Sequence, residues 1–237
     1  DDFSGLVKIQ RPTFSFLDID SERTSGLISF SALNVLLLIF VATYNYEQFF
    51  EIKNTVIKMS ELSADTHERV NAVIFSILMA VGVILFYFKG GFNFDPEATS
   101  LKKLAKLWII LNIVLIISAV IKNTEYVSFF GLTYKRLGVY AFLILAIIGL
   151  ILTFYKIVKQ KTNAFLFNQM VWYFYGTILL CSYINWGNIV TNYNISVNKG
   201  LEPVFLSGLN FNDEARRAYF AKNHLNGEIN EVMREKQ

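Results

Sequence analysis

The sequence predicts an all-α, polytopic membrane protein, a transmembrane helix bundle of about five membrane-spanning helices with a short helical C-terminal tail. Three observations carry that prediction. Of 237 residues, 54% are hydrophobic and only 17% charged, whereas soluble domains run nearer a quarter charged. The apolar residues stand in long uncharged blocks, where a surface helix would show a one-sided stripe. The charges gather in the short segments between those blocks.

A hydrocarbon core of about 30 Å needs roughly 20 apolar residues at a 1.5 Å rise. Five blocks approach that requirement. Residues 24–46 carry no charge and centre on Leu33–Val41. Residues 70–88 lie between His67-Glu68-Arg69 and Lys89. Residues 104–121 form the shortest block, and Lys106 near its start can lay its stem on apolar surface while its ammonium reaches water. Residues 137–155 lie between Lys135-Arg136 and Lys156, and residues 165–184 open an uncharged stretch that continues to Asn198. Helices are the reading that lipid permits. An open strand would leave backbone amides unsatisfied, and a barrel would show alternating polarity, which is absent here.

The flanking regions differ from the 25–198 membrane domain. Residues 1–24 are a polar lead-in, and without an initial Met they read as following a further N-terminal membrane region. The amide- and aromatic-rich stretch 185–198 reads as leaving the bilayer along the headgroup zone. Residues 199–237 read as a soluble helical tail, with Asn212 capping a helix whose first turn holds Asp213 and Glu214. Placing the N-terminus in the cytoplasm puts ten Lys and Arg on that side against seven on the other, a slight preference for N-in and C-out.

Chemistry leaves few marks. A net charge of +3 is too small to argue for nucleic acid. The single cysteine, Cys181, lies in an apolar block and fits a small buried residue. No cofactor motif, metal-ligand cluster or nucleophile–base pair is legible. Asp18-Ile19-Asp20-Ser21-Glu22 lacks the glycine and distal glutamate of a calcium loop and reads as a solvated turn. His67-Glu68-Arg69 reads as an interfacial helix start, since a proton relay would need an acid inside a span.

Several polar strings are more distinctive: His67 to Ser76, Gly131 to Tyr140, Ile184-Asn185-Trp186, and Thr191-Asn192-Tyr193-Asn194. Together they resemble a bacterial multi-pass membrane family designated domain of unknown function 4153/4173, in its Bacteroidota-like form. The resemblance runs from roughly Phe14 to Phe220, with Gly131–Arg136 as its most specific part. Members are longer, so the resemblance implies a C-terminal portion of such a protein in a bacterial inner membrane. It implies no activity and no catalytic residues.

Two sets of residues are candidates for function. In the loop Gly131, Thr133, Tyr134, Lys135 and Arg136, the glycine can take a backbone conformation others avoid. Thr133 can cap the following helix, and the two cations can meet phosphate or a partner. Against this stands a plain capped helix start with two snorkelling cations. Asn34, Asn71, Asn112 and Asn168 lie within or at the edges of spans. They can line a pathway, although hydrogen bonding between helices is the commoner use of such residues. The expected partners are membrane lipids and other membrane proteins. The leading expectation is a non-enzymatic scaffold or accessory subunit of a membrane complex, followed by a transporter or channel subunit, then a lipid-modifying enzyme.

Overall fold

A computed structural model describes residues 18–47, 59–88, 93–209 and 214–223, with residues 59–70 described by their backbone alone. Among these residues there are eight helices and no strand: α1 (Ile19–Tyr46), α2 (Met59–Tyr87), α3 (Thr99–Phe130), α4 (Tyr134–Val158), α5 (Asn163–Tyr183), α6 (Trp186–Val197), α7 (Pro203–Ser207) and α8 (Glu214–Lys222). Each of the five apolar blocks falls on its own helix, α1 to α5. Most of these helices overrun their block by a turn or more, because the hydrogen-bond ladder continues into the polar headgroup layer after the apolar side chains stop. At 32 residues, α3 is about 48 Å long and exceeds a 30 Å hydrocarbon core at both ends.

Among the described residues, four helices are long and apolar enough to cross a membrane: Asp20–Tyr46, Thr99–Phe130, Tyr134–Val158 and Asn163–Tyr183. The block at 70–88 falls on α2, whose apolar stretch Asn71–Tyr87 is shorter. Chain direction takes α2 back toward the start of α1. Asn34 Nδ2 donates to Leu104 O at 3.1 Å, and Ser118 Oγ donates to Asn45 Oδ1 at 2.8 Å. Later residues of α1 thus meet later residues of α3, and the two helices run parallel. The chain must return between them, and α2 ends against the N-terminal half of α1, with Tyr87 Oη donating to Ser29 Oγ at 2.9 Å.

The chain forms two compact units. One comprises residues 1–122 and 142–175. Its interior is set by stripes at helix spacing: Phe30, Leu37, Val41 and Tyr44 on α1, Val73, Ile77, Ala80 and Ile84 on α2, and Leu101, Ala105, Ile109, Leu115, Ile116 and Ala119 on α3. Intervals of three and four along α2 are those of close-packed, knob-into-hole helices. The polarity is that of a protein solvated by lipid. Leu36 is 63% exposed and Phe75 64%, while Asn34 is 6% exposed and Asn112 is completely buried.

The second unit comprises residues 123–141 and 176–237. Its core gathers Val127, Leu132, Val190, Leu206, Leu209 and Phe220. The amide-rich stretch after Ile184 forms α6, started by Asn185, whose side chain accepts from the Asn188 amide at 3.0 Å. Residues 199–209 and 214–223 pack on this core through Leu206, Leu209 and Phe220. Arg216, also buried, donates to Leu209 O at 2.9 Å. Asn212 and Asp213 lie outside the described residues, as do His224, residues 1–17 of the lead-in and the end of the tail.

Candidate functional site

The 131–136 loop is held by groups distant in sequence. Gly131 has φ +82°, a region open to glycine and strained for other residues. Asn194, fully buried on α6, clamps the loop at its next residue. Its Oδ1 accepts from the Leu132 amide at 2.6 Å, and its Nδ2 donates to Leu132 O at 3.1 Å and Gly200 O at 3.2 Å. One side chain thereby satisfies three backbone groups, as buried peptides require. A Cβ on Gly131 would sit 2.9 Å from Asn194 Oδ1 and 3.0 Å from the Lys199 carbonyl. The loop therefore needs glycine for space as well as for backbone angle.

Thr133 stands at the cap of α4, its hydroxyl accepting from the Arg136 amide at 3.4 Å. Arg136 is turned onto its own unit. Its guanidinium donates to Gly131 O and lies 4.2 Å from the Tyr126 ring centre, with Phe130 at 5.8 Å. Tyr134 and Lys135 are exposed. The loop therefore presents Tyr134 and Lys135 outward and engages Gly131, Thr133 and Arg136 internally. Asn194 and Gly200 are the members that the sequence reading passed over. The available signals were the Thr191–Asn194 string and the Lys199-Gly200 turn that follows it.

The four intramembrane asparagines are not brought together. Asn34 and Asn112 are buried, each donating to the carbonyl four residues earlier at 2.7 Å. Each leaves its Oδ1 without a hydrogen-bond partner. Asn71 and Asn168 are exposed, and none of the four hydrogen-bonds another.

A fifth polar group lies where α2 and α4 end and α5 begins. Lys156 is completely buried. Its Nζ donates to Phe88 O at 3.0 Å and to Asn163 Oδ1. Asn93 Nδ2 donates to Lys156 O at 3.3 Å and Lys161 O at 2.5 Å, and Asn163 Nδ2 donates to Leu85 O at 3.3 Å. No carboxylate pairs with Lys156 among the described residues, and a lysine has three donors to place. In the sequence this residue looked like an anchor at a block's edge. Nothing in local composition revealed that the fold draws it inside.

Of the four apolar spans, α5 is the least apolar and the least buried. Asn168, Trp172 and Tyr175 share one stripe at helix spacing and all three are exposed, while Gln169 beside it is half-buried. Trp172 is 65% exposed. One amide and two aromatic rings thus face outward from a helix that would cross hydrocarbon.

Among the described residues, no group of three or more His, Cys, Asp or Glu side chains is placed to hold a metal ion. The fold and these sites define a polytopic, all-α membrane protein organised by amide and cation contacts inside its helices. The chain belongs to the family described as Domain of unknown function (DUF4153), whose model matches residues 6–218. No curated protein and no solved structure matches it.

Proposed function

We propose that the protein is a non-enzymatic subunit of a membrane assembly and docks a partner's transmembrane helix along α5. The observation that carries this is the outward placement of Asn168 on an apolar span. An amide facing lipid has no hydrogen-bond partner, whereas one facing another helix gains about 1 kcal/mol per bond. Trp172 and Tyr175 on the same stripe add rigid, amphipathic contact area of the kind that dominates interfaces. A transporter reading draws on Asn34 and Asn112, but each donates to its own helix and the two are not brought together.

Photo-crosslinking tests the proposal. A benzophenone side chain at Tyr175 or Trp172, both exposed, should give one discrete protein adduct in native membranes. The same probe at Phe86, an exposed apolar position on α2, should give lipid adducts alone. Asn168→Leu should remove the adduct at Trp172 while the chain stays folded. Lipid adducts alone at all three sites would sink the docking reading.

A further inference from the structure

A groove of about 450 Å³ runs between α2, α4 and α5 in the first unit. Its floor and walls include Ile77, Leu85, Phe142, Thr153, Leu166 and Phe174. Thr153 is the one polar side chain lining it, and its hydroxyl is tied to Gly149 O at 2.7 Å, so the groove offers an occupant apolar surface. Its volume lies in the range that holds single small molecules. It opens sideways, since the lining residues Leu78, Phe167 and Phe174 are each more than half exposed. From Phe142 to Thr153, α4 advances about 16 Å, roughly half of a 30 Å hydrocarbon core. The groove therefore has the length of one leaflet.

One end of the groove is cationic. Leu85, Thr153 and Leu166 line it there, and one helical turn further along the same three helices stand Phe88, Lys156 and Asn163, the Lys156 cluster. Beyond that, Lys159 is exposed and Lys161 half-buried in the turn into α5. No Asp or Glu occurs anywhere between Glu125 and Glu202, nor on α2 from Asn71 to Tyr87, and Asp95 and Glu97 in the neighbouring 93–98 turn are paired with Arg23. A buried ammonium without a carboxylate, backed by surface lysines, favours an anion at the mouth of the groove.

We propose that this groove binds one acyl chain of an anionic phospholipid from the leaflet at the Lys156 end. The phosphate sits against Lys159 and Lys161, with Lys156 behind them. The site is independent of the docking stripe, because Leu166, Met170 and Phe174 face the groove while Asn168, Trp172 and Tyr175 lie on another side of α5.

Native mass spectrometry of the full chain, released from vesicles of equal phosphatidylglycerol and phosphatidylcholine, tests this. The expected result is one retained phosphatidylglycerol per chain, at least five-fold over phosphatidylcholine. A Cβ added at Gly82, a lining residue, meets no atom within 4 Å, so Gly82→Leu can fill the groove without moving the backbone. It should remove the retained lipid, with the thermal unfolding midpoint in the same detergent showing the fold intact. Lys159→Gln with Lys161→Gln changes the surface alone and should abolish the preference for phosphatidylglycerol while chain binding persists. Equal retention of the two lipids by the unaltered chain, or full retention by Gly82→Leu, would overturn the proposal. So would a lipid-free dimer broken by Gly82→Leu, which would assign the groove to a second copy.

Discussion

Asn194 concentrates more of the second unit's polar accounting than any other single side chain described. It satisfies both backbone groups of Leu132 and the carbonyl of Gly200, all away from water. Truncating it leaves those groups buried and unpaired, so Asn194→Ala should destabilise the unit by about 2–3 kcal/mol. Gly131→Ala should cost about 1–3 kcal/mol through its left-handed backbone and the close approach of Asn194 Oδ1. The two effects should not add. Removing the Asn194 amide also removes the nearest atom that an alanine at 131 would meet, so the double variant should fall short of the sum. Denaturant unfolding in detergent, run as a double-mutant cycle, measures this, and strict additivity would contradict the clamp. The sequence showed that a glycine, a capping threonine and two cations belong together at 131–136. It could not show that Arg136 folds back onto Gly131 O and Tyr126, because the acceptor's geometry exists only once the loop has turned.

At the scale of elements, the five apolar blocks were legible because lipid imposes a length and a purity on a span that few soluble helices meet. The helix ends were less legible, since the charged residues that close an apolar block still continue its hydrogen-bond ladder. Which polar residues of a span turn inward was not legible at all. Asn34 and Asn168 sit in similar apolar surroundings in the sequence, yet one is buried against α3 and the other is exposed. That choice depends on the rotation of each helix, which neighbouring helices set. The Asn34 bond to Leu104 O joins α1 to α3, but its unpaired Oδ1 remains a cost. Asn34→Leu removes both, so the net change in stability should stay within about 1 kcal/mol. Asn34→Asp places a charge at a buried site and should leave little folded protein. A loss above about 2 kcal/mol for the leucine variant would show that the amide does more than link two helices.

At the scale of the whole molecule, helix direction decides topology more firmly than charge counting did. Parallel α1 and α3, with α2 returning between them, place the start of α1, the 93–98 turn and the 159–162 turn at one end of the first unit. Its Lys156 cluster and the Arg23 pairs with Asp95 at 2.9 Å and Glu97 at 2.8 Å bind those segments to each other. Glu47, at the far end of α1, lies at the opposite end. The shared end carries Arg23, Lys102, Lys103, Lys106, Lys156, Lys159 and Lys161. Lys and Arg near span ends favour the cytoplasmic side, while nearby acids such as Asp95 and Glu97 contribute little to that bias. Single cysteines placed at Glu97, Gln160 and Glu47 in a Cys181→Ser background test the arrangement with a membrane-impermeant maleimide. Positions 97 and 160 should react only after the cytoplasmic side is opened, and position 47 should react from outside intact cells. Reaction of 97 and 160 from opposite sides would separate the 93–98 and 159–162 turns, and reaction of 97 and 47 from the same side would break the parallel α1–α3 pairing. Reaction of both from outside, with 47 protected, would keep the fold and reverse its orientation, which would mean that groups beyond these seven cations decide how the protein inserts.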